Sequence, residues 1–310
     1  MEMGMVGLGR MGGNMVLRLL QRGHRMVAFD QSPDAVKAHV AKGAVGANKL
    51  EEFVKAFESK PRVMWVMVPA GDPTTQSINK LVELGEPGDI IIDGGNTNWK
   101  IALQDATRVK AKGMHYMDAG TSGGIWGLEY GYCLMVGAEQ EIYDHCMPLL
   151  KDLAPDDGGL VRTGPEGSGH FVKMVHNGVE YGLMQAYAEG FQIMKLSKSF
   201  PGMNMQAIAE AWRTGSVVRS WLLDLIARGL SQDPELAGIK GYVEDTGEGR
   251  WTVEAAIDES VPVPIIAESL FARFRSRMEN TFGDRMLAMM RNQFGGHAVV
   301  VDAKGETARR

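Results

Sequence analysis

The first 140 residues alternate between short, solidly apolar runs and longer stretches with helical spacing. Met3-Gly4-Met5-Val6, Met26-Val27-Ala28-Phe29, Val63-Met64-Trp65-Val66-Met67-Val68 and Ile90-Ile91-Ile92-Asp93 read as strands. So do His115-Tyr116-Met117-Asp118-Ala119 and Cys133-Leu134-Met135-Val136-Gly137. Apolar runs this short, closed by Gly, Pro or Asp, predict strands covered on both faces. Segments 14–20, 34–41, 74–84 and 98–112 read as the helices between them. The pattern is that of an α/β domain with a doubly wound sheet, whose ligands bind beyond the carboxyl ends of the strands. After about residue 165 the strand pattern largely stops, and helical spacing runs through 168–196, 204–213, 216–230 and 264–293. The expectation is a sheet domain over 1–165 and an all-α domain over 166–310, with Pro155–Gly159 as a loop near the boundary and a cleft between the domains.

Chemistry enters at the first strand. Gly7-Leu8-Gly9-Arg10-Met11-Gly12 follows it at once and a helix follows the glycines, so GxGxxG stands in the setting that a Rossmann dinucleotide site requires. Gly7 permits the tight turn, Gly9 lets a pyrophosphate approach the backbone, and Gly12 lets the helix pack on the sheet. The helix N-terminus offers free N–H groups to the phosphates. The second strand ends in Asp30, about 20 residues further on, where a carboxylate accepts from ribose hydroxyls and repels a 2′-phosphate. Gln31-Ser32-Pro33-Asp34 supply no cation to hold that phosphate, so NAD is favoured over NADP. Val68, Pro69, Ala70 and Asn96, at the ends of later strands, are further candidate cofactor contacts.

The segment Gly167–Tyr181 carries a different signal. On a helix advancing about 100° per residue, Lys173, Asn177 and Glu180 fall within roughly 60° of one another, flanked by His176 and Tyr181. An amine, an amide, a carboxyl, an imidazole and a phenol therefore share one broad face, which needs water or a substrate opposite it. Phe171, Val172, Val175, Val179, Leu183 and Met184 read as the buried remainder. A solvated helix is the plain alternative, but Lys173 and Glu180 are two turns apart and are not a standard surface pair.

Composition narrows the field. The chain has 310 residues, 45% apolar, enough for two cores, and a net charge of −5 with no basic run, which argues against nucleic-acid binding. Arg309-Arg310 is too short to count. Cys133 and Cys146 lack metal or redox spacing and are expected to be inert core residues. No metal site is expected, since His170 and His176 are six apart and off-face. The 21 methionines read as flexible core filler. The chain opens directly on a strand, and no apolar run approaches transmembrane length, so a cytoplasmic protein without membrane contact is expected.

Taken together, GLGRMGGNM, IIDGGN, SGG and GHFVKMVHNGVEY resemble the 6-phosphogluconate dehydrogenases, within the β-hydroxyacid dehydrogenase superfamily, over nearly the whole chain. SGG and GxxxKxxxN are shared across the superfamily; His176–Tyr181 carries the likeness to the phosphogluconate branch. The resemblance implies that Lys173 is the base that takes the substrate 3-hydroxyl proton and Glu180 the acid that protonates C1 after carbon dioxide leaves. It implies that Asn96, Ser122, Gly123, Gly124, His176 and Asn177 hold the sugar acid, and that Tyr181 and Arg273 contact its phosphate. Arg291 and His297, in RNQFGGH, match a tail motif that reaches a neighbouring subunit, which implies a homodimer or homotetramer. The product would be ribulose 5-phosphate, in the pentose phosphate pathway.

The chain departs from the long form of that family in two ways. It lacks a second block of helices, so it resembles the short form. Thr246-Gly247-Glu248-Gly249-Arg250-Trp251-Thr252 replaces KGTGKWT, with Thr246 at a phosphate-binding Lys and Glu248 at a Thr. A carboxylate there should repel phosphate, leaving compensation by Arg250 or a displaced loop as the alternatives. Two other readings stay open on the residues alone: another β-hydroxyacid dehydrogenase, such as one acting on 3-hydroxyisobutyrate, and a catalytically silent NAD-binding sensor.

Overall fold

The computed structural model describes residues 1–300; Arg309 and Arg310 lie outside the described residues. The first half runs β1 (Glu2–Val6), α1 (Arg10–Gln21), β2 (Arg25–Phe29), α2 (Pro33–Val40), β3 (Val45–Ala47), α3 (Leu50–Lys55), β4 (Val63–Val66), α4 (Asp72–Leu84), β5 (Ile90–Asp93), α5 (Trp99–Lys110) and β6 (His115–Ser122). It continues through α6 (Gly127–Tyr130), β7 (Cys133–Gly137), α7 (Gln140–Leu153) and β8 (Leu160–Gly164). Helices follow: α8 (Ser168–Lys195), α9 (Met205–Arg213), α10 (Trp221–Gln232), α11 (Glu248–Asp258), α12 (Pro264–Ser276) and α13 (Phe282–Gly295).

One eight-stranded sheet has the order β3-β2-β1-β4-β5-β6-β7-β8, parallel except where β7 runs antiparallel to β6. The chain reverses direction of winding between β1 and β4, and this switch point is where a doubly wound sheet opens a crevice. Every residue of β1, β4 and β5 is buried, as their unbroken apolar runs predict. Two apolar layers cover the sheet, one including Met15, Leu19 and Trp65, the other Phe53, Ile78 and Leu81.

Two strands and four helices were not predicted. β3 has three residues, and β8 is half-exposed and carries Arg162 and Thr163, so neither shows a buried-strand pattern. α3 and α6, of six and four residues, are too short to show a helical period, whereas α7 does carry an apolar stripe, Ile142, Cys146, Leu149, Leu150 and Leu153, and stays helical with Pro148 inside it. α11 begins at Glu248, inside the stretch expected to be a loop. The single helical run expected over 264–293 is two helices, because Asn280 adopts a left-handed conformation (φ 48°) and Thr281 with Asp284 forms a capping box that starts α13.

The chain divides into two compact units. The first is Met1–Glu180 with Glu248–Val261; the second is Tyr181–Gly247 with the described residues from Pro262 on. The first half of α8 belongs with the sheet because Asp118 of β6 accepts hydrogen bonds from Gly167 N (2.5 Å) and His170 N (2.7 Å), holding the start of the helix. α11 joins it because Thr252 Oγ1 donates to Met174 O at 2.7 Å, and Gly178 packs against Thr252. In the second unit, Leu223, Ala227 and Leu230 of α10 pack on Met205 and Ala209 of α9, with Tyr187 and Phe191 of α8 against them. Among the described residues no helix is long and apolar enough to cross a membrane.

α8 turns its faces opposite to expectation. Val172, Val179, Leu183 and Met184 are exposed, whereas His170, Lys173 and Tyr181 are buried. The polar face can be buried because its groups meet partners, and glycines at 169, 178 and 182 let neighbours come close.

Candidate active site

The crevice at the switch point is a cleft of about 560 Å³ lined by Gly7, Asp30, Gln31, Val68, Pro69 and Gln76 among others. Gly7 has φ +99°, and a Cβ there would lie 2.3 Å from Met67 O, so only glycine makes this turn. A Cβ on Gly12 would lie 2.1 Å from Gly7 O, which is how closely α1 approaches the strand end. Gly9 faces open space, with nothing within 4 Å of a Cβ. It is the N-cap of α1, whose first turn, Arg10, Met11 and Gly12, has no side-chain cap and no acidic residue. Unmet backbone N–H groups beside open space are what a pyrophosphate needs, so these residues fit a dinucleotide.

Asp30 has a role beyond the one expected. Its Oδ2 accepts from Leu8 N (2.7 Å) and its Oδ1 from Ser32 N (2.8 Å), so it pins the glycine loop while presenting its carboxylate to the cleft. Val68 and Pro69 line the cleft; Ala70 does not and is exposed. None of the residues lining the cleft is Lys or Arg.

The second cluster lies on α8. A Cβ on Gly120 of β6 would come 2.4 Å from Lys173 Cβ, so the helix sits directly on the strand. Two residues on, Ser122 pairs across the sheet with Cys133. Cys133 is exposed and within electrostatic reach of Lys173, contrary to the expectation of an inert core thiol; Cys146 is buried as expected. The strand position of Cys133 suggested burial, but it opens β7 at the edge of the site. Asn96, left-handed at φ 52°, accepts from Thr121 N (3.1 Å) and donates to Thr121 O (3.3 Å), which fastens the Gly94-Gly95-Asn96 turn beside Ser122. Gly123 and Gly124 follow with φ 126° and 54°.

Lys173 is 4% exposed. Its Nζ donates to Asn177 Oδ1 at 2.5 Å and lies 3.4 Å from His176 Nδ1; His176 Nδ1 is 2.9 Å from the same Asn177 oxygen. Glu180 Oε2 is 4.0 Å from His176 Nδ1. Burial holds the Lys173 amine below the ordinary lysine range, and the negative charges of Glu248, Glu180 and Cys133 partly oppose it. Four of the five residues expected on one face are thus brought together, while Tyr181 meets Arg273 and Thr246 instead. Glu248, 8% exposed at the start of α11, joins them by accepting from Asn177 Nδ2 at 2.5 Å. That contact spans 71 positions and has no periodic signal in the sequence.

Behind this face is a buried set that sequence reasoning passed over. His170 Nε2 approaches Asp93 Oδ2 at 3.2 Å, and Tyr116 OH donates to the same oxygen at 3.1 Å. Burial opposes charge on His170, but Asp93 and Asp118 raise its pKa; burial pushes Asp118 up to about 6. These groups anchor the strand ends and the helix start rather than facing the amine.

In the second unit, the Arg273 guanidinium stacks 3.4 Å over the Tyr181 ring and donates to Glu244 O at 2.8 Å, while Tyr181 OH accepts from Thr246 N at 3.3 Å. Tyr181, Arg273 and the Thr246 loop end are therefore one local assembly. Arg291 is exposed on α13 and His297 is exposed beyond it, with Asn292 Nδ2 donating to His297 O at 2.9 Å.

Comparison with known proteins agrees with this geometry. Residues 2–163 match the model of the NAD-binding domain of 6-phosphogluconate dehydrogenase, and residues 169–305 match that of its C-terminal domain. An NAD(+)-dependent, decarboxylating 6-phosphogluconate dehydrogenase of Haloferax volcanii is 40% identical, covering 96% of this chain and 98% of the relative. An NADP(+)-dependent counterpart from Bacillus subtilis is 35% identical, over 90% of this chain but 62% of its own length. The solved structure of Plasmodium falciparum 6-phosphogluconate dehydrogenase, studied with NADP+ and with 6-phosphogluconate, superposes with a TM-score of 0.82 at 26% identity, covering 99% of this chain and 67% of that one. A Rossmann cleft for a nicotinamide dinucleotide, a buried Lys173 grouped with half-exposed Asn177, His176 and Glu180 on one helix, and matches along nearly the whole chain lead to one assignment: this protein belongs to the 6-phosphogluconate dehydrogenase family.

Proposed function

We propose that this chain oxidises 6-phosphogluconate and releases ribulose 5-phosphate and carbon dioxide, with NAD preferred over NADP. The observation that carries the reading is the buried Lys173 amine, held below the ordinary lysine range beside Asn177, His176 and Glu180. A neutral amine is a competent base near neutral pH. When bound, the nicotinamide supplies the acceptor for the hydrogen on C3.

Lys173 removes the proton of the C3 hydroxyl as that carbon is oxidised. The resulting carboxylate is β to a ketone, so carbon dioxide leaves with its electron pair flowing to the ketone oxygen. The protonated Lys173 returns its proton to that oxygen through a charge-assisted hydrogen bond. Glu180 then delivers a proton to C1 of the enediol while the neutral Lys173 takes the proton back from the enol oxygen, which leaves the ketone of ribulose 5-phosphate. Asn96, Ser122, Gly123, Gly124, His176 and Asn177 are assigned to the sugar acid, and Tyr181 and Arg273 to its phosphate. Arg291 and His297 are assigned to the neighbouring subunit's substrate.

NAD preference is supported by the Asp30 carboxylate at the cleft and by the lack of Lys or Arg in its lining. Self-association as a homodimer or homotetramer is supported by the exposed apolar residues Phe282, Met286, Leu287 and Met290 on α13, and is read by light scattering. The deciding experiment is NADH absorbance with 6-phosphogluconate, alongside gluconate and 3-hydroxyisobutyrate. Turnover of 3-hydroxyisobutyrate but not 6-phosphogluconate would overturn the substrate, and no turnover of any would overturn the enzyme reading.

A further inference from the structure

We propose that Glu248 is a positioning residue for the oxidation step, holding the Asn177 amide so that its oxygen faces both Lys173 and His176; this rests on the function proposed above. The argument starts from what each group can do. An ionised carboxylate only accepts hydrogen bonds, so the Asn177 group facing Glu248 Oε2 at 2.5 Å must be the NH₂. That leaves Asn177 Oδ1 turned the other way. A carbonyl oxygen has two acceptor sites, and two nitrogens lie at it: Lys173 Nζ at 2.5 Å and His176 Nδ1 at 2.9 Å.

Both orientations then follow. A neutral amine that donates one N–H to Asn177 keeps its lone pair free on another side, where a substrate hydroxyl can meet it. His176 donates from Nδ1, which selects that tautomer and leaves Nε2 as an acceptor for a second hydroxyl. Without the carboxylate, the amide gains nothing from this orientation over its flipped one, in which the NH₂ would point at the amine and imidazole. Glu248 is well placed for the task. It lies in the first turn of α11, where the helix dipole favours a negative side chain, and α11 is fixed to α8 by the Thr252 hydroxyl on Met174 O.

Glu248 also acts on Lys173 by charge. The ionisable groups facing the amine are Glu180 and His176 on its own helix, Cys133 on β7 and Glu248 on α11; β6 presents Gly120 there. A nearby carboxylate favours the ammonium, so its removal moves the Lys173 titration downward.

The test uses the whole enzyme and two variants, Glu248→Gln and Glu248→Ala. In Glu248→Gln the acid limb of the kcat/KM profile is expected to move to lower pH by about one unit. In Glu248→Ala the plateau kcat is expected to fall about tenfold or more, as loss of general-base orientation does, with KM rising as well because Asn177 and His176 also hold the sugar acid, and with NAD affinity near wild type. A second readout needs no turnover: the pH titration of the Lys173 side-chain NMR resonance, assigned by its loss in Lys173→Met, should move downward in Glu248→Gln. An unchanged Lys173 titration overturns the proposal whatever the turnover. A raised KM with unchanged kcat also overturns it, and makes Glu248 a substrate-binding group. Should the wild type fail to oxidise 6-phosphogluconate while the Lys173 titration still moves, the substrate reading falls and the Glu248–Asn177–Lys173 coupling stands.

Discussion

Two glycines three residues apart should give opposite phenotypes when each becomes alanine. At Gly12 the added methyl would sit 2.1 Å from Gly7 O, a backbone atom that cannot swing aside. To restore van der Waals contact, α1 must back away by about 1 Å or more, loosening its own fully buried Met15, Val16 and Leu19 from the sheet. Overpacking of this kind costs about 1–3 kcal/mol, a melting-temperature fall of roughly 2–10 °C for a domain of this size. At Gly9 the methyl meets nothing within 4 Å, and φ is −61°, which alanine adopts freely. Gly9→Ala should therefore melt at or slightly above the wild-type temperature, because the unfolded chain loses freedom worth up to about 1 kcal/mol. It fills the space through which a pyrophosphate would reach the N–H groups, so NAD affinity should drop at least about tenfold, equivalent to about 1.4 kcal/mol. Thermal denaturation and isothermal titration with NAD read the two effects separately. Gly9→Ala binding NAD like wild type would refute the placement of the phosphates, and a wild-type melting temperature for Gly12→Ala would refute the packing argument.

Lys173→Met should lower turnover by about 10²–10⁴-fold with NAD affinity intact, and a variant with near-wild-type kcat would exclude Lys173 as the base. Because only the neutral amine accepts a proton, wild-type kcat/KM should fall as pH drops through the lowered Lys173 value; an acid limb at about 10.4, the ordinary lysine position, would contradict the burial effect. Glu180→Gln should let NADH appear before ribulose 5-phosphate in a single turnover, and simultaneous appearance at the wild-type rate would leave water as the proton donor. Asp30→Asn with Gln31→Arg should move the ratio of kcat/KM values toward NADP, although loss of one acceptor on the Leu8 and Ser32 amides will cost some affinity for both cofactors. Higher kcat/KM with NADP than NAD in the wild type would sink the preference itself.

The central strands, the glycine turn and the Lys173–Glu180 face could be read from residue order because each is a local property. A strand covered on both sides is a solid apolar run, as in Ile90–Asp93; a turn with positive φ calls for glycine at 7; a helix face is a fixed angular spacing. Elements at the edge of the sheet escaped this reading, since β3 and β8 are only partly covered and need no solid run. The burial of α8 also escaped it. Whether a helix turns its polar or its apolar side inward depends on what lies opposite, and here Gly120, Asp118 and Glu248 lie opposite, 49 to 71 positions away along the chain from the residues they meet. For the same reason the sequence identifies Asn177 as a polar residue on the right face but not which way its amide points. That orientation is decided by a carboxylate 71 positions later, brought within 2.5 Å only when α11 packs on α8.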